Sequence, residues 1–216
     1  MKTEPQISRT TGICKKLVCH FSHSWNKKSA LGDAQKRLNL PDHELITECQ
    51  TRWGSRLAMI NRILEQKKAL AEVLSEDAKT RHLVLGYQEL DVLESVSSAL
   101  NPLADFTDAL SGEDYVSVSH LQPTLNLFNT TSLKPKEDDT NMTKSLKKKI
   151  VDYLNSKYED EATQELLDVA SFLDPRYKTL YICEDVIPTV KARLLEEMRE
   201  LELKVNIIIK IECFKM

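Results

Sequence analysis

Apolar side chains at Ile13, Leu17, Phe21 and Trp25 fall four residues apart and so line one face of a helix. Ala30, Leu31, Ala34 and Leu38 continue the pattern to Asn39-Leu40-Pro41, where the proline restricts the residue before it and closes the element. Residues 1–11 are polar and contain Pro5, which predicts a frayed start, and Asp42 to Gly54 reads as irregular. The clearest helix is expected from about Ser55 to Leu74. Its stripe is Leu57, Ile60, Ile63, Leu64, Leu70, Ala71 and Leu74, with Arg62, Gln66, Lys68 and Glu72 opposite.

A second long helical pattern starts near Leu83 and runs through Leu90, Leu93, Val96, Ala99, Leu100 and Leu103, with Pro102 expected to kink or break it. Ser111-Gly112-Glu113-Asp114 is a turn signal before a shorter helix from about Val118 to Phe128. The polar stretch 129–142 is expected to be a mobile loop. Helical spacing resumes at Leu146, Ile150, Val151, Tyr153, Leu154 and Tyr158, then at Leu166, Leu167, Ala170 and Phe172, and Asp174-Pro175 ends that element. Pro188 opens a last helix to about Leu203. The end of the chain, VNIIIKIECF, is β-branched and nearly uncharged, an aggregation hazard if exposed.

Composition agrees with helices. The chain has 5 glycines in 216 residues, too few for the turns of a sheet-rich fold. Hydrophobic content of 41% with 29% charged residues is that of a globular protein. The five cysteines are odd in number and scattered, which fits reduced thiols better than a disulfide framework. No apolar run is long enough for a membrane span, and no secretory leader opens the chain, so a soluble intracellular protein with no membrane partner is expected.

The net charge of −3 hides an asymmetry. Residues 1–70 hold 13 basic against 6 acidic side chains, a balance of +7 that could meet phosphates or could be a solvated face. Lys144, Lys147, Lys148 and Lys149 form a second basic cluster, and Glu137-Asp138-Asp139 an acidic run. Without interleaved aromatics, both read as solvated. Cys14, Cys19, His20 and His23 lie within ten residues of one helix, whereas a zinc finger draws two ligand pairs from two elements, so no metal is expected there.

Four segments together resemble the hAT transposase superfamily, specifically the zinc finger BED domain-containing proteins derived from it. They are LVCHFSHSWNKKSAL (17–31), RLNLPDHELITECQTRWGSRLAMINRILEQKKAL (37–70), LNPLADFTDALSGEDYVSVSHLQPTLNLF (100–128) and ELLDVASFLDPRYK (165–178). Thr51-Arg52-Trp53 and Leu173-Asp174-Pro175-Arg176 are short motifs whose order and flanks together make the match specific.

The resemblance implies a mainly α fold, a helical bundle corresponding to the end of an RNase H-like core portion plus the hAT helical insertion. On that basis residues 1–54 are a basic helical segment ending the core portion, 55–204 an insertion-like domain, and 205–216 an atypical tail. The family's three catalytic carboxylates, its BED zinc finger and its C-terminal dimerisation region would all fall outside this chain.

What the resemblance then implies is a non-catalytic remnant of a nuclear DNA-binding protein that needs no cofactor, binding DNA through its basic N-terminal third or binding a partner. Self-association belongs to the family, through the missing region. Two other readings are a piece of an active DDE transposase whose catalytic residues lie elsewhere, and a helical protein-interaction scaffold. The site residues singled out are Arg52 and Trp53. In active relatives the corresponding tryptophan stacks on a displaced base, an interaction of about 1–3 kcal/mol, and Arg52 would meet a phosphate. The alternative is that Trp53 anchors the helix start. Relatives commonly carry asparagine where this chain has Gly54, which weakens an inherited base contact.

Overall fold

The computed structural model describes the backbone of residues 4–111 and 117–213; the side chains of Trp53 and of 204–213 lie outside what is described. Described residues form helices and connecting turns, with no strand among them. The expected turn at Ser111-Gly112-Glu113-Asp114 falls mostly outside the described residues. The chain divides into two compact units, one of residues 1–110 and 135–148, the other of 111–134 and 149–216.

The first unit opens with α1 (Pro5–Ser22) and α2 (Trp25–Arg37). Residues 5–11 are helical rather than frayed, because Pro5 takes the first-turn position, where its missing N–H costs nothing. Thr10 and Thr11 are already buried, so the inner face begins a turn before the first apolar residue that a hydrophobic count registers. That face continues through Cys14, Leu17, Val18 and Phe21. Trp25 does not belong to it, being 79% exposed. Ser24 resets the chain: its backbone is extended and its Oγ accepts the Lys27 N–H, starting a new helix with a new phase.

The helix expected over 55–74 is two helices, α3 (Trp53–Glu65) and α4 (Lys67–Glu76), broken at Gln66. Gln66 was expected on the polar face, yet its side chain is fully buried and donates from Nε2 to Pro41 O at 3.0 Å. A buried amide must spend its donors inside the protein, and this one does so by fastening the 41–50 segment. Met59, Ile60 and Ile63 of α3 and Ala69, Leu70, Val73 and Leu74 of α4 fill the core against α1 and α2. Each large side chain buried there contributes roughly 1.5–3 kcal/mol.

A short 3-10 helix (Arg81–Leu83) leads into α5 (Tyr87–Ser111), which supplies Leu93 and Val96 to the same core. Pro102 lies inside α5 and does not end it. Within this unit an Asn61, Ser97 and Asn101 ring of hydrogen bonds ties α3 to α5.

Residues 129–142 are more ordered in their contacts than their polarity suggests. Phe128–Ser132 wind as a π-helix, Leu133 is buried, and α7 (Asn141–Lys157) begins before the stretch ends. In the first unit, Asp139 accepts from the Lys136 N–H at 2.8 Å and from Lys147 Nζ at 2.7 Å. The Lys147 side chain is 3% exposed and that of Asp139 10%. These two were expected to be solvated, and instead form a covered ion pair. Seen from the sequence alone, a lysine at an inward helix position is indistinguishable from its outward neighbours.

The second unit contains a 3-10 helix (Val118–His120), α6 (Leu121–Leu127), the end of α7, α8 (Glu161–Leu173) and α9 (Ile187–Cys213). Asp160 caps α8 by accepting the Thr163 N–H at 2.9 Å. Leu167 of α8 and Val190 of α9 are buried, and these two helices pack together. The end expected near Leu203 lies inside α9, whose backbone stays helical to Cys213.

Candidate functional site

Arg52 sits in extended conformation immediately before α3. The turn that holds it is closed by Ser55. Its Oγ lies 2.8 Å from Cys49 O and 2.7 Å from Arg52 O and accepts the Cys49 N–H at 2.8 Å. The Arg52 side chain is exposed and has no acidic partner within 4 Å among the described residues. Trp53 starts α3, but its side chain lies outside the described residues, so neither base stacking nor helix anchoring can be assigned to it. A Cβ at Gly54 would meet nothing within 4 Å.

Beside this turn is a feature that the sequence did not disclose. Glu48, whose side chain is 5% exposed, receives Arg56 Nη2 at 2.6 Å and lies 3.0 Å from Lys15 Nζ of α1. The Arg56 hydrogen bonds, with help from Lys15, hold its carboxyl below the ordinary range despite desolvation. Arg56 is eight residues from Glu48, but Lys15 is on another helix, and no local spacing rule links the three. Cys49 is exposed, and the Thr51 hydroxyl 3.2 Å from its Sγ draws its thiol below the ordinary value.

Much of the basic N-terminal third is paired. Lys27 meets Asp77, Lys28 meets Glu44, Arg37 meets Glu72, Arg62 meets Glu65 and Lys67 meets Glu94. Three of those acids come from beyond residue 70, so the +7 balance of the sequence is partly offset in space. Among the described residues Arg9, Lys16, Lys36, Arg52 and Lys68 have no acid within 4 Å.

The four candidate zinc-type residues do not converge. Cys14 is in the core, where burial pushes its thiol up to about 12. Cys19 Sγ lies 3.6 Å from His23 Nδ1 on the exposed side of α1, and His20 stands edge-on to Phe21. No group of three or more His, Cys, Asp or Glu side chains able to hold a metal occurs among the described residues.

The Leu173-Asp174-Pro175-Arg176 motif closes α8. Asp174 accepts from Ser119 Oγ at 2.6 Å, from the Arg176 N–H at 3.0 Å, and from Arg176 Nε and Nη2 at 3.0 and 2.8 Å. These donors, the Arg176 guanidinium foremost, hold the carboxyl far below the ordinary carboxylate range. Tyr177 Oη and His120 Nδ1 lie 2.9 Å apart and add a second tie between the same two segments. Asp174 therefore acts as a fastening at a helix end.

Fold and site thus define a mainly helical protein whose family-like motifs sit at helix termini, and none of its described helices is long and apolar enough to cross a membrane. Over 202 residues it is 28% identical to zinc finger BED domain-containing protein 4 of Homo sapiens, a stretch covering 92% of this chain and 17% of that protein. The likeness supports a relationship to BED zinc-finger proteins, and the chain spans about a sixth of its relative's length. The chain matches no protein-family model.

Proposed function

We propose that this chain is a non-catalytic helical piece of a transposase-derived nuclear protein, acting through DNA or partner binding. The observation that carries the reading is the likeness to a BED zinc-finger protein along 92% of the chain. It is supported by where the acids are spent: Glu48 on Lys15 and Arg56, Asp139 on Lys147, Asp174 on Arg176. Carboxylates so neutralised are poor holders of the metal pair that strand transfer requires.

DNA contact is assigned to the cations left without acids, Lys16 and Arg52 chief among them. Purified protein titrated with duplex or hairpin DNA should bind with an affinity that falls as salt rises, by about 0.9 in log–log slope for each phosphate neutralised. The double variant Lys16→Ala/Arg52→Ala should lower that slope by roughly 2. Absence of any salt-dependent binding would rule out the DNA role and leave partner binding.

A further inference from the structure

Between α2 and α3 the chain runs from Leu40 to Cys49 with no helix, turn or bend. Side chains of the neighbouring helices pin it at both ends. Gln66 Nε2 donates to Pro41 O at 3.0 Å, Gln35 Nε2 to His43 O at 2.9 Å, and Arg62 Nη1 to Glu44 O. At the far end Glu48 is held by Lys15 and Arg56, and the Cys49 N–H donates to Ser55 Oγ at 2.8 Å. Between those anchors the backbone is unspent. Among the described residues, no hydrogen bond involves the N–H groups of Glu44 to Glu48 or the C=O groups of Leu45 to Glu48.

Beside this segment lies a groove of about 320 Å³ whose other wall is α2. His43, Leu45 and Thr47 line it while Ile46 and Glu48 do not, the period of two that an extended chain imposes. From α2 come Lys28, Leu31, Gly32 and Gln35, spaced as one helix face. Gly32 leaves that wall open. A Cβ there would meet nothing within 4 Å, so packing does not demand a glycine in mid-helix, where it lowers stability.

We propose that residues 44–48 are a preformed edge strand and that the groove takes an extended peptide of a partner protein, which pairs backbone to backbone and sends alternate side chains over Gly32. The unspent groups state the occupant's chemistry. Alternating N–H and C=O groups along a straight segment are matched by another extended backbone, whereas a helix spends its own backbone groups internally. The segment is held straight before anything binds, so little order has to be gained on its side. Charge selects the peptide further. Asp42 has no base within 4 Å among the described residues, and Glu44, whose side chain is 87% exposed, is only loosely paired with Lys28 at 4.0 Å. A lysine or arginine flanking the extended stretch meets these two carboxylates. The surface uses neither Lys16 nor Arg52, so it is independent of the DNA reading.

The test uses the full chain and three synthetic peptides: KVTVTVTK, EVTVTVTE, and KVTVTVTK methylated on the backbone nitrogens of its six central residues. Fluorescence anisotropy should give the first a Kd on the order of 100 µM or tighter. The second should bind about 3- to 10-fold more weakly and the third at least about tenfold more weakly. Amide hydrogen exchange read by NMR should be fast at residues 44–48 of the free protein and slowed there, on alternate amides, by the first peptide. Gly32→Leu, which fills the groove with a better helix former, should abolish binding without lowering the melting temperature. Asp42→Lys should erase the preference for lysine ends. The proposal is overturned if no peptide binds, if the methylated peptide binds as well as its parent, if protection appears away from residues 44–48, or if Gly32→Leu binds as the wild type does. An unaltered preference in Asp42→Lys overturns the basic character of the partner.

Discussion

Replacing Lys147 by methionine leaves the apolar stem and removes the ammonium from Asp139, 2.7 Å away. The lysine is 3% and the aspartate 10% exposed, so water cannot fully take the ammonium's place. Removing one partner of a covered ion pair costs about 3–5 kcal/mol. The lower end applies here, because Asp139 keeps its hydrogen bond from the Lys136 N–H. At about 3 °C per kcal/mol for a domain of this size, thermal unfolding of the first unit should fall by roughly 10 °C. Asp139→Asn added to Lys147→Met should recover most of the loss, since the amide oxygen can still accept from Lys136 and no charge is left stranded. The pH dependence has a definite sign. Desolvation raises the Asp139 carboxyl, but the Lys136 N–H and the Lys147 ammonium outweigh it and leave it lowered from its ordinary 3.8. Its contribution is therefore present above that value and lost as pH falls through the lower folded value. The gap between wild type and Lys147→Met should narrow accordingly below about pH 4. Circular-dichroism melts of the three proteins at pH 7 and in acid measure all of this. A Lys147→Met melt within about 1 °C of wild type at pH 7 would refute the reasoning.

Two further outcomes follow from the thiols and from the end of α8. In native protein at neutral pH, Cys49 should be alkylated well before Cys14, because one thiol is exposed and lowered while the other is buried and raised to about 12; peptide mass spectrometry reads the order. Asp174→Asn should destabilise the second unit at neutral pH, and the difference should persist into strong acid, since the folded carboxyl is far below its unfolded value of 3.8. A difference that vanished already near pH 4 would contradict the hydrogen-bond network around Asp174.

The helices were legible because their apolar stripes recur at 3.6-residue spacing, and α3, α4 and α8 carry that signal plainly. What periodicity missed were side chains whose chemistry and location disagree. Gln66 is polar and buried, Lys147 charged and covered, and Thr10 and Thr11 inward without counting as apolar. Trp25 is the opposite case, in phase with the α1 stripe yet exposed, because Ser24 had already ended that helix. Of the candidate site, Arg52 stands at a helix start in the open, but the Lys15, Glu48 and Arg56 cluster was invisible. It exists because α1 and α3 lie side by side, a relation no local pattern encodes.

The two motifs that carried the family resemblance prove to have a common geometry. At Thr51-Arg52-Trp53 a helix begins, and Ser55 ties the turn back to Cys49 and Arg52. At Leu173-Asp174-Pro175-Arg176 a helix ends, and Arg176 and Ser119 tie the turn to Asp174. Each motif secures a chain reversal, and the two arginines differ in what they do there. The Arg176 guanidinium is committed to Asp174, whereas that of Arg52 has no acid near it among the described residues. Under the proposed reading, an exposed arginine at the start of a helix with no acid near it among the described residues is the natural candidate for binding. Arg52→Ala should therefore leave the melting temperature unchanged while Arg176→Ala lowers it, a contrast that separates a residue kept for binding from one kept for folding.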